Sequence, residues 1–472
     1  MAEYLFQGKL DNSVHEITYD QICELYEDNK REEEEGRKVT ASSYRGENFY
    51  DGKNDLQSFW EEVSYRDPKT AGYRIYYPHG VVIQQSARRN FYRGENYLYP
   101  ESIPTLLRNL KKYDNQKDRE FYRFVADMRV AEFKAFLRKF DHVKNWNYCD
   151  VLYDALAQHY GLETGWLDIT NDFNVALFFA TCCWKDGKWE PLSKEQIETK
   201  NPYGMIFHMP SNRMTMRWLF AINDFIQWTG KVVGKNEKGK NIVRQKDKPD
   251  VVTRKNLVYP LGFQPFMRCH MQSGFGIYMR EPFPLQEDSE FEKLKFKQSE
   301  KLSRKVFELM DGGKKIYPHE GLNQVQFVID EIKNMTEFSE DAFNEALYRN
   351  HYYRMEDRQQ CLKDIENFEI NGHKIKITTG HSWNLSSGRR KKIDAAYNDF
   401  SLEKDYGIQI IERKQVPGPS GMYEPWMLAS SDDEPGIADF KVREHVECGD
   451  SIVTRYMMDG LATMMTAQLQ DF

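Results

Sequence analysis

The stretch Gln158–Ala180, QHYGLETGWLDITNDFNVALFFA, limits more than any other what this chain can fold into. Just upstream and at its start, Val151, Leu152, Ala155, Leu156 and His159 recur at helical spacing. Gly161 is the residue type that closes a helix in the left-handed region without a Cβ clash. The spacing predicts a helix whose last turn carries His159 on or beside its apolar face, where the helix dipole favours the charged imidazole. Downstream, Thr170, Asn171 or Asp172 can cap a second helix through a side-chain oxygen. Val175, Ala176, Leu177, Phe178, Phe179 and Ala180 make that helix apolar all round, the mark of a buried element. Between the two helices, Trp166-Leu167-Asp168-Ile169-Thr170 sets one carboxylate into an apolar run. An isolated buried charge is too costly to keep, so Asp168 is expected to be hydrogen-bonded, paired or functional.

With 472 residues the chain has room for two or three domains. Its formal charge of -7 gives no general pull toward nucleic acid or anionic lipid. No apolar run approaches the about 18 residues that span a bilayer, and MAEYLFQGKL has no basic start followed by an apolar core, so a cytoplasmic protein away from membranes is expected. The seven cysteines include no C-x-x-C pair and are expected to be reduced thiols. Histidines are not clustered at metal-ligand spacing, so no metal site is expected. Cys269 and His270 are adjacent, and in a strand they point to opposite faces, which argues against a thiolate–imidazole dyad.

In chain order, residues 1–54 are expected to form a strand–helix extension, with a strand near Val14–Thr18 and a helix from Tyr19. Leu56, Phe59, Trp60 and Val63 predict an amphipathic helix at the start of a central domain over 55–360. Phe91 and Tyr92 suit a strand end that presents Arg93, and Gly94 permits close approach to the backbone, as a phosphate or carboxylate would need. A long helix follows over 116–143 and a strand over 203–209. A hairpin insertion is expected at about 211–259, turning at KNEKGK. Arg268, Gln272 and Gly274 precede a strand over 275–279. The remainder, 361–472, reads as a smaller α+β domain with strands over 374–378, 407–412 and 440–446 and a methionine-rich helix over 451–469.

Three pieces then line up: FYRGE with Pro100, Pro104 and Arg108; AQHYGLETGWLDIT with ALFFA; and PFMR with Gln272 and GFG. Together, over roughly residues 55–281, they resemble the FRG-domain family, a bacterial and phage group named for its Phe-Arg-Gly signature. Tyr92 stands where the family has phenylalanine, and Gly165 where a basic residue is frequent. The pattern is more distantly similar to ADP-ribosyltransferases. That resemblance implies an α+β fold, a central mixed domain with a cleft, and NAD as a substrate-like cofactor. Carried over, Arg93 grips ribose or phosphate, Asp168 and Thr170 lie in the middle motif, and Gln272 holds the third position. His159, Gln158, Gly94 and Arg268 face the same cleft. The implied roles are catalytic for Arg93, His159, Asp168 and Gln272, and cofactor-binding for Arg93, Gly94, Gln158, Thr170 and Arg268. The implied function is an ADP-ribosyltransferase or NAD glycohydrolase, an effector or toxin in conflict between bacteria and phage, acting on an unknown macromolecular target. The alternative is a non-catalytic module that binds a nucleotide or nucleic acid and docks a partner through its C-terminal region, since an amide at position 272 cannot act as a general base.

Overall fold

The protein is represented by a computed structural model. It describes residues 12–38, 90–144, 151–210, 258–261, 264–318, 321–349, 353, 357–379, 383 and 385–398, and short strands at 42–45, 61–64, 66–67, 72–77, 80–84, 231–235, 241–244, 413–415, 425–428 and 437–440.

Seven strands form the central sheet: β1 (Val14–Ile17), β2 (Phe91–Glu95), β3 (Trp166–Thr170), β4 (Tyr203–Met209), β5 (Val258–Pro260), β6 (Gly274–Tyr278) and β7 (Glu292–Lys297). Their order is β1-β7-β4-β2-β3-β6-β5. Only β1 and β7 run parallel; the remaining neighbours are antiparallel. β2 and β4 are paired along five residues, but β2 and β3 meet at one position, Tyr92 opposite Thr170. The ladder therefore lapses at the middle of the sheet, where the FYRGE and WLDIT strands lie side by side.

Helices cover both faces. They include α1 (Tyr19–Lys38), α2 (Thr105–Leu110), α3 (Gln116–Leu137), α4 (Tyr153–His159), α5 (Phe173–Thr181), α6 (Met267–Met271), α7 (Glu300–Leu309), α8 (Gln326–Asn334), α9 (Glu340–Arg349), α10 (Arg358–Glu366) and α11 (Ser387–Asn398). The architecture is mixed α+β. The period-2 alternation of β4 divides its side chains between two cores: Met205, Phe207 and Met209 enter one and Ile206 the other. The first core is built on α3, α4, α8 and α9, the second on α1, α5 and α7.

α5 is buried as its composition requires. Asp172 caps it, accepting from the Asn174 amide at 2.8 Å, and Phe173, Val175, Leu177 and Phe178 are buried, each stabilising by about 1.5–3 kcal/mol. Gly161 ends α4 at φ 84°. α1 is tied to the cap of α5, Asn29 donating to Asp172 at 3.2 Å and accepting from the Phe173 amide at 3.1 Å.

The N-terminal strand and helix thus complete the central sheet and its second core. Past residue 360, Ile365, Phe368, Ile370, Ile375, Trp383 and Ile393 belong to the same core as α3, so described residues on the two sides of that boundary share one interior. The helix expected across residues 55–63 is corrected: Glu61–Ser64 is a strand paired with Ser42–Arg45. The apolar spacing there carried no information about a ladder partner some twenty residues earlier. Residues 55–60 lie outside the described residues, as do the strand expected over 407–412 and the methionine-rich helix over 451–469. Within the insertion, Lys231–Lys235 and Asn241–Arg244 pair antiparallel about the KNEKGK stretch.

Candidate functional site

Arg93 and Glu95 stand two residues apart on β2, so both side chains leave the same face of the strand. Arg93 Nε donates to Glu95 Oε1 at 2.8 Å and Nη1 donates to the Asp168 carbonyl oxygen at 2.7 Å. Glu95 is buried, and its second oxygen accepts from the Ser102 hydroxyl at 2.8 Å. The bond to Asp168 reaches across to β3 beyond the single paired position, so a guanidinium spans the place where the main-chain ladder stops. Nε and Nη1 are committed by these bonds, and Nη2 is the nitrogen left to meet a ligand.

The Asp168 carboxylate is not set into the apolar interior as the sequence suggests. Its side chain is 42% exposed, while Trp166, Leu167, Ile169 and Thr170 around it are buried. The strand lies in the core, yet at this position the carboxylate reaches water instead of needing a partner inside.

His159 lies beside it. Its side chain is 3% exposed and its Nε2 is 3.8 Å from Asp168 Oδ1, too far for a hydrogen bond. That buried Nε2 has no hydrogen-bond partner among the described residues. Burial holds the imidazole below its ordinary pKa; the Asp168 carboxylate opposes this, the Arg268 cation adds to it and a hydrogen bond with Gln272 opposes it. The expectation that the helix end favours the charged ring is corrected here, because desolvation outweighs the dipole at a buried site.

Arg268 and Gln272 come from α6 and the turn after it. Arg268 is buried, donates through Nη1 to the His159 carbonyl oxygen at 2.7 Å, and lies between two rings, its Cζ 4.2 Å from the centre of Tyr160 and 4.8 Å from that of Tyr317. Gln272 Nε2 donates to the Ile316 carbonyl oxygen at 3.0 Å, and the Gln272 main-chain carbonyl oxygen accepts from the Thr170 hydroxyl at 2.8 Å. The residues taken from three separated motifs are therefore in one connected cluster: Arg93 touches Asp168, Asp168 faces His159, and His159 meets Arg268 and Gln272. Gln158 is turned to Thr164, whose hydroxyl donates to Oε1 at 2.8 Å. Cys269 and His270 lie on the helical turn α6, not on a strand.

The close approach that Gly94 allows is made by α5. A Cβ at Gly94 would stand 1.7 Å from the Ala176 carbonyl oxygen. The sequence pointed to a ligand at this glycine, but the backbone of α5 fills that space.

Two contributors were missed. Glu95 orients Arg93, and its signal was the two-residue spacing inside FYRGE, which puts acid and base on one face. Tyr317, which stacks on Arg268, carries no local signal, since it is some fifty residues away and reaches the cluster only through the fold. Among the described residues there is no group of three or more His, Cys, Asp or Glu placed to hold a metal ion, and no helix is long and apolar enough to cross a membrane.

Residues 88–188 match the model of the FRG domain. The match covers the FYRGE and WLDIT stretches and ends before the third one. No curated protein and no solved structure matches the chain.

Proposed function

We propose, from the premise that this chain carries an FRG domain over residues 88–188, that the Arg93–Asp168–His159 cluster binds the ribosyl part of a nucleotide of the NAD type and acts on it in the manner of an ADP-ribosyltransferase. One observation carries the proposal: the unpartnered, buried Nε2 of His159 sits 3.8 Å from the half-exposed Asp168 carboxylate. With the ring neutral and Nε2 its acceptor nitrogen, the pair offers two acceptors side by side. Vicinal ribose hydroxyls supply two matching donors. Arg93 Nη2 is the cation available for a phosphate oxygen. When the C1′–N bond of NAD breaks, nicotinamide leaves with the electron pair, and the positive charge that develops on the ribosyl carbon is stabilised by the Asp168 carboxylate. A nucleophile on the target, or water, then bonds to C1′ and loses its proton. The role of such an activity as an effector or toxin between bacteria and phage comes from the family resemblance.

A second reading has its own support. Gln272 Nε2 donates to the Ile316 carbonyl oxygen, so the third-motif amide is engaged in holding the structure. This favours a module that binds a nucleotide without turning it over.

The test incubates purified protein with NAD labelled in its adenylate, with and without cell extract, alongside Arg93→Ala and Asp168→Ala. Release of nicotinamide or transfer of label by the wild type, lost in both variants, is the expected result. Binding without either product supports the module; failure to bind NAD sinks both.

A further inference from the structure

A column of planar groups leads outward from the cluster. Tyr160, buried, lies under Arg268; Arg268 lies under Tyr317; and Tyr317 stacks on Trp184, with ring centroids 5.7 Å apart and planes inclined by 30°. Trp184 ends the column and is 55% exposed. It stands on a two-stranded hairpin, Cys182–Lys185 paired with Lys188–Pro191, in register opposite Trp189, whose ring meets it edge-on at 5.4 Å. The hairpin turns through Asp186 and Gly187, both at positive φ, as the tightest two-residue turn requires. Below, Gln272 fixes Ile316, the neighbour of Tyr317, and Trp189 packs on Phe178 of α5. The indole is thus packed against Tyr317 and Trp189 while more than half of the residue stays exposed.

We infer that Trp184 is a stacking platform for the adenine of the NAD-type nucleotide whose nicotinamide-bearing ribosyl part is taken by His159 and Asp168. This rests on the function proposed above and adds to it where the base lies. An aromatic ring that carries its own support loses little entropy on binding, and stacking accepts any base with an exposed π face. The exposed Lys185, at the turn of the same hairpin, suits an anionic ligand nearby.

Isothermal titration of the full chain with AMP and with ribose 5-phosphate tests it, using wild type, Trp184→Ala and Trp184→Phe. The expected result is that Trp184→Ala weakens AMP about tenfold, equal to about 1.4 kcal/mol, leaves ribose 5-phosphate unchanged, and that Trp184→Phe stays within about threefold of wild type. Equal AMP affinity in Trp184→Ala and wild type, while NAD binding still depends on Asp168, overturns the platform and leaves the nucleotide site standing. Equal weakening of AMP and ribose 5-phosphate overturns it too, because the effect would not come from the base. So does a Trp184→Ala protein that changes only its elution on a sizing column, which would make the indole a contact between copies. If wild type binds neither AMP nor NAD, the platform and the proposed function fall together.

Discussion

Replacing Gly94 with alanine separates a glycine that makes room for a ligand from one that makes room for a helix. The added Cβ would stand 1.7 Å from the Ala176 oxygen, 2.6 Å from its carbonyl carbon and 3.0 Å from the Ala180 nitrogen. Non-bonded heavy atoms settle near about 3.5 Å, so α5 must retreat by roughly 2 Å. The obstacle is backbone, and no side-chain rotation can relieve it. The retreat loosens Val175 and Phe178, which the second core holds fully buried. Overpacking costs about 1–3 kcal/mol and the loosened contacts add to it, giving about 3–5 kcal/mol in all. The melting temperature followed by circular dichroism should then fall by roughly 3–5 °C. Gly388→Ala is the matched control: it lies in α11 with nothing within 4 Å of its would-be Cβ, and helix propensity makes it neutral or slightly stabilising. If Gly94→Ala melts within about 1 °C of wild type yet loses nucleotide binding, the packing account is refuted and the glycine serves the ligand.

Other expectations follow from the same geometry. His159 and His142 are both held below the ordinary histidine pKa, chiefly by burial, so as pH falls through about 6.5 the unfolded chain takes up protons that the folded chain refuses. Stability is therefore full above that value and lost below it, by at most about 1.4 kcal/mol per pH unit for each group, and His159→Gln should flatten the slope in urea titrations between about pH 7.5 and 5.5. Arg93→Ala leaves the buried Glu95 without its cation and should cost about 2–4 kcal/mol, and adding Glu95→Gln should recover part of that stability without restoring nucleotide binding, measured by denaturation and calorimetry. Asp168→Asn, at a half-exposed position, should change stability by no more than about 0.5 kcal/mol while nicotinamide release falls at least about 100-fold.

Much of the site was legible because its motifs are short and local. The helix ending at His159, the Asp172 cap and the buried α5 are each determined by residues within one or two turns of chain, and the structure has them where spacing puts them. The exposure of Asp168 was not legible: composition reports that its neighbours are apolar, but only the packing of the folded chain decides that this one side chain of β3 reaches water. The same holds for His159, whose helix-end position was readable while the desolvation that outweighs the dipole was not. Gly94 illustrates a third case. A glycine states that something comes close and does not say what, and here the answer lies over eighty residues along the chain. Strand pairing over distance was the weakest point, as at Glu61–Ser64 and in the membership of Val14–Ile17 in the central sheet beside Glu292–Lys297.

The single paired position between β2 and β3 makes Arg93 a stitch as well as a hand. The four strands β1, β7, β4 and β2 form one panel and β3, β6 and β5 the other, and the panels are joined by Tyr92–Thr170 and the Arg93 bond to the Asp168 carbonyl. A ligand that engages only Nη2 leaves the stitch closed and tightens it, whereas one that draws the whole guanidinium away unpicks the seam. Ligand affinity and the amide protection of residues 166–170 are then two readings of one equilibrium, and the direction in which protection moves on binding tells which grip the ligand takes.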